Sequence, residues 1–423
     1  MVIAKSKLPL ESDYNSRWPV ALSIAAVCLL AGVSAASNID SYLTNGPGLD
    51  LAIAVAAVFA VIGSVYPAPR MLGSVGWVLL AYVGVTLLSL TSTPADVSPE
   101  TILRSVSTIV LSSAALLVGG ALRNRAKDYP KYLIIVQVVC VLLCLAIAAV
   151  ALLNPAGREK NVLGGVIFAT AMLNFLCGYA RGERGAGPLV LLAVLVLGGA
   201  LATGHRLMLA LGLAMPLGVA LLNLVKVRWA RLIPVLLAVS IGVGAIAVYT
   251  QYQKIPEFRL VDAEVRKQTG RSMLSGRQKM WGSISEAIIE APPLGYGPTV
   301  RASDVTGRPF STHNAFLNVG LQGGFVGLIV VFGLVAAIGY RAFTAPVDSA
   351  GVILSVYLGG VLVHNSFETV LFTNSFPIAV LTWTNLGFLV ASCMLPPAPP
   401  KPKRVPEYAA PPVKVHVRGR GGA

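Results

Sequence analysis

The stretch that decides the fold class covers residues 132–153 and reads YLIIVQVVCVLLCLAIAAVALL. It carries no charge, and its length matches the roughly 20 helical residues that cross about 30 Å of hydrocarbon. Comparable stretches, separated by Gly, Pro and charged residues, recur along the chain. The predicted spans are 18–37, 50–66, 74–92, 103–122, 132–153, 162–180, 188–204, 206–225, 232–250, 314–340, 350–367 and 376–395. The sequence therefore predicts an all-α polytopic membrane protein with about 12 transmembrane helices.

The composition of the 423-residue chain supports this class. Hydrophobic residues make up 55% of the chain and charged residues 12%, whereas average soluble domains carry about 25% charged residues. The mean hydropathy is +0.74. A water-soluble enzyme of this size could not bury so much apolar surface, and such hydrophobicity also excludes disorder for most of the chain.

The net charge of +15 raises the question of a nucleic-acid partner. Membrane proteins, however, collect Lys and Arg in their cytoplasmic loops, and this habit alone makes a chain basic. We therefore predict membrane lipid as a partner and no nucleic acid. The five cysteines lie inside apolar runs without metal-binding spacing, so we interpret them as buried apolar residues.

The distribution of Lys and Arg predicts the orientation. The loops at 38–49, 93–102 and 368–375 contain neither residue, which places them outside. Both termini are then cytoplasmic. The predicted organisation is a cytoplasmic N-terminus (1–17), helices 1–9 (18–250), a large outer, periplasmic loop with an amphipathic helix (251–313), helices 10–12 (314–395), and a disordered basic cytoplasmic tail (396–423).

Several cations lie on the outer face, where the charge rule disfavours them. Four of them flank spans or lie in the outer loop, namely Arg158, Lys160, Arg206 and Arg277. Cations near the bilayer boundary are candidate ligands for an anion. A long exported loop does not have to obey the charge rule, so the cations of 254–271 are as readily ordinary surface residues.

The second half of the outer loop contains an organised segment. Ser275 and Gln278 fit a capping box, so we expect a helix that begins there and has Arg277 in its first turn. Its apolar face would comprise Met280, Trp281, Ile284 and Ile288. Such a helix would lie in the membrane interface, and its positive N-terminal end favours a bound anion.

Two further elements follow this helix. Gly295, Tyr296 and Gly297 form a loop that could approach a ligand closely, because two of the three residues lack a Cβ. His313 precedes a span at the water–lipid boundary, where a histidine can act as a general base. A lone histidine in a polar turn is more often structural. His364, which follows an unbroken apolar run, is interpreted as part of a packed helix end.

Three motifs in this order resemble the bacterial O-antigen ligase superfamily, which also includes O-antigen polymerases and some protein O-oligosaccharyltransferases. They are Ser-Gly-Arg-x-x-x-Trp (275–281), Pro-Leu-Gly-Tyr-Gly (293–297) and Thr-His-Asn (312–314). Asn161-Val-Leu-Gly (161–164) and Arg206 support the resemblance. One departure is His205, because that position is often Ser in the superfamily.

The resemblance implies a fold similar to that of GT-C-type glycosyltransferases and an active site on the periplasmic face of the bacterial inner membrane. It implies transfer of a glycan from undecaprenyl pyrophosphate, the donor, to a sugar hydroxyl of lipid A–core, the acceptor. His313 would be the general base, and Arg206 and Arg277 would bind the pyrophosphate, with Arg158 and Lys160 as weaker members. Supporting or substrate-binding roles would fall to Asn161, Trp281, Gly295, Tyr296, Gly297 and Asn314.

We predict no cofactor and no metal. The nearest outer acidic pair is Asp262 and Glu264, and the cations that follow it make a salt-bridged surface the better interpretation. An O-antigen polymerase, which differs only in its acceptor, is the closest alternative function. A transporter of lipids or solutes should show acidic residues inside its spans, and the predicted spans contain none well inside.

Overall fold

The computed structural model describes residues 72–94, 96–125, 130–153, 160–183, 185–251, 255–269, 277, 280–307, 311–346, 349–371 and 376–394. The two predicted spans at 18–37 and 50–66, the N-terminus and the C-terminal tail lie outside these residues. Throughout the described ranges, every regular element is a helix.

The long helices are α1 (Ser74–Leu88), α2 (Pro99–Arg125), α3 (Pro130–Leu153), α4 (Lys160–Ala180), α5 (Ala186–Thr203), α6 (Arg206–Leu224), α7 (Ile233–Gln251), α11 (Ala315–Thr344), α12 (Ser349–Phe367) and α13 (Phe376–Met394). Between α7 and α11 lie α8 (Pro256–Thr269), α9 (Trp281–Glu290) and α10 (Ala302–Thr306). Short 3₁₀ turns at Ser89–Ser92 and Arg228–Leu232 extend α1 and precede α7.

Eight helices within the described part are long and apolar enough to cross a membrane. They coincide within a few residues with the predicted spans 74–92, 132–153, 162–180, 188–204, 206–225, 232–250, 314–340 and 350–367. The predicted spans 103–122 and 376–395 coincide with α2 and α13. The chain is an all-helical polytopic membrane protein, as predicted, and the total of about 12 spans stays a prediction.

The centre of the helical assembly is formed by α4, α12 and α13. In the most apolar windows of Asn161–Ala180 and Ala350–Phe367, 89% of the residues are buried, against 11% for Arg228–Gln251. Glycines let α2 and α13 approach closely, since a side chain at Gly119 or Gly387 would collide with the backbone of the other helix. The site described below lies at one end of these central helices.

Helix α11 is broken at Gly324, whose φ of 61° and ψ of −157° are not helical. The loop 293–297 enters this break. The N–H of Tyr296 donates to the carbonyl of Leu321 (3.0 Å), and the N–H of Val326 donates to that of Pro293 (3.1 Å). The loop therefore supplies backbone partners that a continuous helix would have provided.

The loop 293–297 needs its two glycines because it packs closely against other parts of the same chain. Gly295 and Gly297 have φ values of 71° and 97°. A Cβ on Gly295 would collide with the backbone of Gln322 and Gly324, and one on Gly297 with Thr93. The space left by the missing side chains is thus filled by α11 and by the end of α1.

Helix α9 begins at Trp281, with Met280 as its N-cap, and not at the predicted capping box. Arg277 precedes the helix, in a turn where its carbonyl accepts the N–H of Met280 (3.0 Å), so it does not lie in the first helical turn. The predicted apolar face is confirmed, because Met280, Trp281 and Ile284 are buried. This face packs on Leu317 of α11 and on residues of α7 instead of on lipid, and the position of the helix in the membrane interface stays a prediction.

Candidate active site

The candidate active site is centred on Glu368, the residue that follows α12. Its Oε2 lies 2.9 Å from Nδ1 of His313. Its Oε1 accepts hydrogen bonds from Nη2 of Arg277 and from Nδ2 of Asn161, both at 2.9 Å. A histidine, a guanidinium and an amide from three distant parts of the chain thus converge on one carboxylate.

Buried amides fix the backbone that carries Glu368. Asn365 accepts the N–H groups of Val370 (3.2 Å) and Leu371 (2.9 Å), which closes the turn after α12. The N–H of Glu368 itself donates to the carbonyl of His364 (2.8 Å). The chain therefore leaves α12 in a defined direction, and the Glu368 carboxylate is held at the C-terminal end of this helix.

Asn314 connects this turn to the segment of His313. Its Oδ1 caps α11 by accepting the N–H of Leu317 (3.0 Å), and its Nδ2 donates to the carbonyl of Ser366 (3.0 Å). The side chain is fully buried. Asn314 was expected to orient the histidine ring or the substrate, but its amide is used in these two bonds, and Glu368 holds the ring.

His313 has a left-handed backbone conformation, with a φ of 45°. Within the described ranges it is the only residue other than glycine with a positive φ. Its N–H donates to Oγ of Ser311 (3.3 Å), and the carbonyl of the preceding Thr312 accepts Nε1–H of Trp281 (2.9 Å). Such a conformation is unfavourable for a side chain with a Cβ and needs support from its surroundings.

Trp281 is the main part of that support. Its side chain is fully buried, and its ring lies against Tyr249 of α7, with the ring centres 4.7 Å apart. Because the indole N–H bonds to the carbonyl next to His313, the burial of α9 fixes the path of the histidine segment. This contact accounts for the tryptophan of the Ser-Gly-Arg-x-x-x-Trp motif.

The electrostatics of the cluster favour an ionised carboxylate. The side chains of Glu368 and Arg277 are 15% and 16% exposed, and that of His313 is 36% exposed. Burial raises the pKa of Glu368, but its hydrogen bond to His313 and the nearby charges of His313 and Arg277 outweigh this effect. The pKa of Glu368 therefore lies below its usual value, and the histidine beside it is more open to solvent than the carboxylate and the guanidinium.

Two further histidines lie behind the carboxylate. The rings of His205 and His364 meet edge to face with centres 5.8 Å apart, and both are buried. The interpretation of His364 as part of a packed helix end is confirmed. Nδ1 of His205 caps α6 by accepting the N–H of Met208 (3.4 Å), and burial lowers the pKa of this histidine.

The remaining predicted residues are placed differently. Arg206 is the exposed first residue of α6, and its guanidinium makes no ion pair with any residue in the described ranges. Arg158 and the side chain of Lys160 lie outside the described part of the chain. Asn161 contacts Glu368, so the structure brings together Asn161, Arg277 and His313 but shows no contact of Arg206 with them.

Sequence reasoning missed Glu368, because acidic residues were sought only in the segment 251–313 and inside the predicted spans, and Glu368 lies just outside both. A signal was present. Glu368 lies directly after a span, in an outer loop without Lys or Arg, and follows the His364-Asn365 pair. A carboxylate at the same boundary as the unexplained arginines is a candidate partner for them.

The cluster combines two chemical abilities. A histidine held by a carboxylate can take a proton from a hydroxyl, and a guanidinium beside it can bind an anion such as a phosphate. Across the described residues, no three His, Cys, Asp or Glu side chains form a group that could hold a metal ion.

Comparison with known proteins agrees with the sequence motifs. Residues 191–332 match the family model for O-antigen ligase. This region includes Arg206, Arg277 and His313, and it ends before Glu368. No curated protein matches the chain. The predicted resemblance to the O-antigen ligase superfamily is confirmed.

Proposed function

We propose that this chain, which belongs to the O-antigen ligase and polymerase superfamily, is an O-antigen ligase. It transfers a glycan from undecaprenyl pyrophosphate to a sugar hydroxyl of lipid A–core. The observation that carries this proposal is the cluster of His313, Glu368 and Arg277, which combines a base with an anion-binding group at the ends of membrane helices.

In the proposed reaction, Nε2 of His313 removes the proton from the acceptor hydroxyl. The oxygen attacks the anomeric carbon of the donor sugar, and the bond from that carbon to the pyrophosphate oxygen breaks. A glycosidic bond forms, and undecaprenyl pyrophosphate leaves with the bonding electron pair. Arg277 stabilises the negative charge that develops on the pyrophosphate, because guanidinium binds phosphate through two parallel hydrogen bonds.

Arg206 is proposed to complete the pyrophosphate site, with Arg158 and Lys160 as weaker members. Arg206 follows His205, whose ring lies near the charge of Glu368. Its guanidinium is exposed and has no partner among the described residues, so it is available to an anionic ligand. The pyrophosphate would then lie between α6 and the turn before α9.

The proposed location follows from the charge distribution. The site lies on the periplasmic face of the inner membrane, and both termini are cytoplasmic. The fold would resemble that of GT-C-type glycosyltransferases, with about 12 spans. In this orientation, the loop 251–313 and the turn after α12 meet at the outer surface, where lipid-linked sugars are available.

Metal independence is part of the proposal. Phosphate chemistry often uses Mg²⁺ held by carboxylates. The carboxylate of this site, Glu368, is occupied by Arg277, Asn161 and His313. Guanidinium groups would therefore neutralise the leaving pyrophosphate in place of a metal ion.

An O-antigen polymerase is the second candidate. It would use the same base and the same anion site, and its acceptor would be another lipid-linked glycan. The compact outer loop, which brings Arg277 and His313 together, favours the ligase. A transporter is disfavoured, because the polar cluster lies at the ends of the spans instead of at the bilayer midplane.

The proposal is tested with the purified chain in lipid nanodiscs. Undecaprenyl-pyrophosphate-linked glycan is added with lipid A–core, with a second lipid-linked glycan, or with no acceptor, each with and without EDTA. We expect the glycan to be transferred to lipid A–core at the same rate with and without EDTA. Extension of the second lipid-linked glycan would identify a polymerase, and loss of transfer in EDTA that Mg²⁺ restores would contradict metal independence.

A further inference from the structure

We propose that Glu368 is the positioning residue of the transfer reaction. It fixes the tautomer of His313 and sets the guanidinium of Arg277 beside the same substrate. The inference rests on the proposed function and deepens it, because it concerns how the base and the anion site are coupled.

The first step concerns the protons of the imidazole. An ionised carboxylate is an acceptor only, so the 2.9 Å contact requires that Nδ1 of His313 carries the hydrogen. In the neutral ring, the lone pair then lies on Nε2. This nitrogen makes no hydrogen bond to a described residue, and it belongs to a side chain that is 36% exposed. Glu368 thereby presents the basic nitrogen towards the substrate side.

The second step concerns the guanidinium. Glu368 engages Arg277 through Nη2, and the other guanidinium nitrogens make no hydrogen bond to a described residue. The N–H groups that Glu368 does not use remain available to donate to a phosphate. Because both oxygens of one carboxylate are used, the distance between the base and the anion-binding group is fixed by a single side chain.

The contacts of Glu368 are not needed to hold the chain in place. The turn after α12 is already closed by Asn365, and Asn314 ties it to the start of α11. Asn161 provides a third donor, which orients the carboxylate itself. A carboxylate that carries three side-chain donors, in a turn closed by other residues, is placed to orient those donors.

Three ionisable groups besides His313 face the carboxylate. They are Arg277 from the turn before α9, His205 from the start of α6, and His364 from α12. The two histidines are buried and lie close to the charge of Glu368, whereas the ring of His313 is partly open to solvent.

The test compares Glu368→Gln and Glu368→Asp with Glu290→Gln, an exposed glutamate at the end of α9. The amide keeps the size of the side chain but removes the charge. We expect kcat to fall on the order of 10²-fold in Glu368→Gln, as for outer partners of functional histidines. We expect a partial recovery in Glu368→Asp and no change in Glu290→Gln. The pH–rate profiles of the four proteins are recorded alongside kcat, and we expect the profile of Glu368→Gln to differ from that of the wild type.

A double-mutant cycle tests whether Glu368 acts through His313. If it does, Glu368→Gln should reduce the rate by a smaller factor in the His313→Gln background than in the wild type, and the loss that remains reflects its contact with Arg277. Full kcat and an unchanged pH profile in Glu368→Gln, with an active wild type, would overturn the inference while leaving the proposed function intact. Additive losses in the cycle would also overturn it.

A second measurement does not depend on glycan transfer. Diethyl pyrocarbonate acylates a neutral imidazole nitrogen, and peptide mass spectrometry reports the rate at His313. At pH 8 we expect a several-fold slower reaction in Glu368→Gln than in the wild type and in Glu290→Gln, because the carboxylate holds the neutral ring in the tautomer whose lone pair lies on Nε2. Equal rates would overturn the positioning role, even if the wild type transfers no glycan and the proposed function itself fails.

Discussion

His313 is held in a backbone conformation that only glycine adopts easily. Its φ of 45° costs on the order of 1–3 kcal/mol. Trp281 bonds to the carbonyl before it, Ser311 accepts its N–H, and Asn314 caps the helix after it. These bonds from both sides keep the residue in a strained position, from which its ring reaches Glu368. Strain at a candidate base is consistent with a site that is organised before the substrate binds.

We expect His313→Gln to reduce transfer by on the order of 10²-fold or more, the usual contribution of a general base. Donor binding, measured by titration of lipid-linked glycan, should remain close to that of the wild type, because the pyrophosphate contacts are unchanged. His416→Gln, in the C-terminal segment, is the matched control. Retention of most of the rate in His313→Gln would assign the base to another residue.

Arg277→Lys should impair transfer nearly as strongly as Arg277→Ala. Lysine keeps the positive charge, but it cannot bond to Glu368 and to phosphate with a planar group at the same time. Arg266→Lys, an exposed arginine of α8, serves as the control and should behave as the wild type. The measurement is kcat/KM of the wild type and the three variants. Full activity of Arg277→Lys would show that only the positive charge of Arg277 matters and not its planar guanidinium.

Glu368 predicts a specific dependence of stability on pH. Its pKa is lowered in the folded protein, so its ionised form stabilises the fold at every pH above the unfolded-state value of 4.5. This contribution is lost as the pH falls through the lowered value. Below about pH 4.5 we therefore expect the melting temperature of the wild type to approach that of Glu368→Gln, whereas at pH 7 it should be higher. An equal difference at both pH values would contradict this assignment.

At the scale of the elements, the break in α11 explains the Pro-Leu-Gly-Tyr-Gly motif. The loop 293–297 bonds to the carbonyls and N–H groups that the break at Gly324 exposes. Tyr296 also donates its hydroxyl proton to the carbonyl of Ala287 (3.2 Å), which ties the loop to α9. The motif thus joins α9 to α11. Helix α9 supports the segment that contains His313, and α11 begins directly after that segment.

The two neighbouring glycines of the break allow a controlled test. A Cβ at Gly324 would collide with the backbone of Pro293 and Gly295, and its φ of 61° is unfavourable for alanine. At Gly323 the nearest atom would be Cγ1 of Val85 at 3.9 Å, an ordinary contact. We expect Gly324→Ala to lower the yield of folded protein sharply and to lower its melting temperature by several degrees. Gly323→Ala should behave like the wild type, and similar behaviour of both variants would contradict the role of the break.

At the scale of the whole molecule, the buried helices α4 and α12 bring the site together. Asn161 lies at the start of α4 and Glu368 directly after the end of α12, so the packing of these helices sets the position of two of the four side chains. Their burial among other helices gives a rigid base, on which the outer loop places Arg277 and His313. An enzyme that acts on lipid-linked substrates at the membrane surface needs such a fixed platform.

The orientation of the molecule can be tested at Gln268, which is exposed on α8 in the outer loop. In intact cells, a cysteine at this position should react with a membrane-impermeant maleimide added to the periplasmic side. The described native cysteines are buried and give a low background. If position 268 is labelled only after reagent reaches the cytoplasmic side, the predicted orientation is wrong and the proposed site lies on the cytoplasmic face.

The sequence alone determined the class, most of the helix positions and three members of the site, Asn161, Arg277 and His313. The spans could be predicted because the thickness of hydrocarbon sets a helix length, and an apolar run of that length is visible without knowledge of its neighbours. Arg277 and His313 were found because they stand in local motifs. The start of α9 was placed too early, because a capping-box pattern does not show which turn the tertiary contacts of Trp281 stabilise.

Only the tertiary structure identified Glu368 and its partners. This residue is separated from His313 by 55 positions and from Arg277 by 91, and from Asn161 by 207. No local pattern encodes such contacts, because they depend on how α4, α9, α11 and α12 pack against one another. The apolar spans carry little information about that packing, since one lipid-facing or buried helix resembles the next in composition. The chemistry of each residue was therefore readable in the sequence, and the arrangement that makes a site of them was decided by the fold.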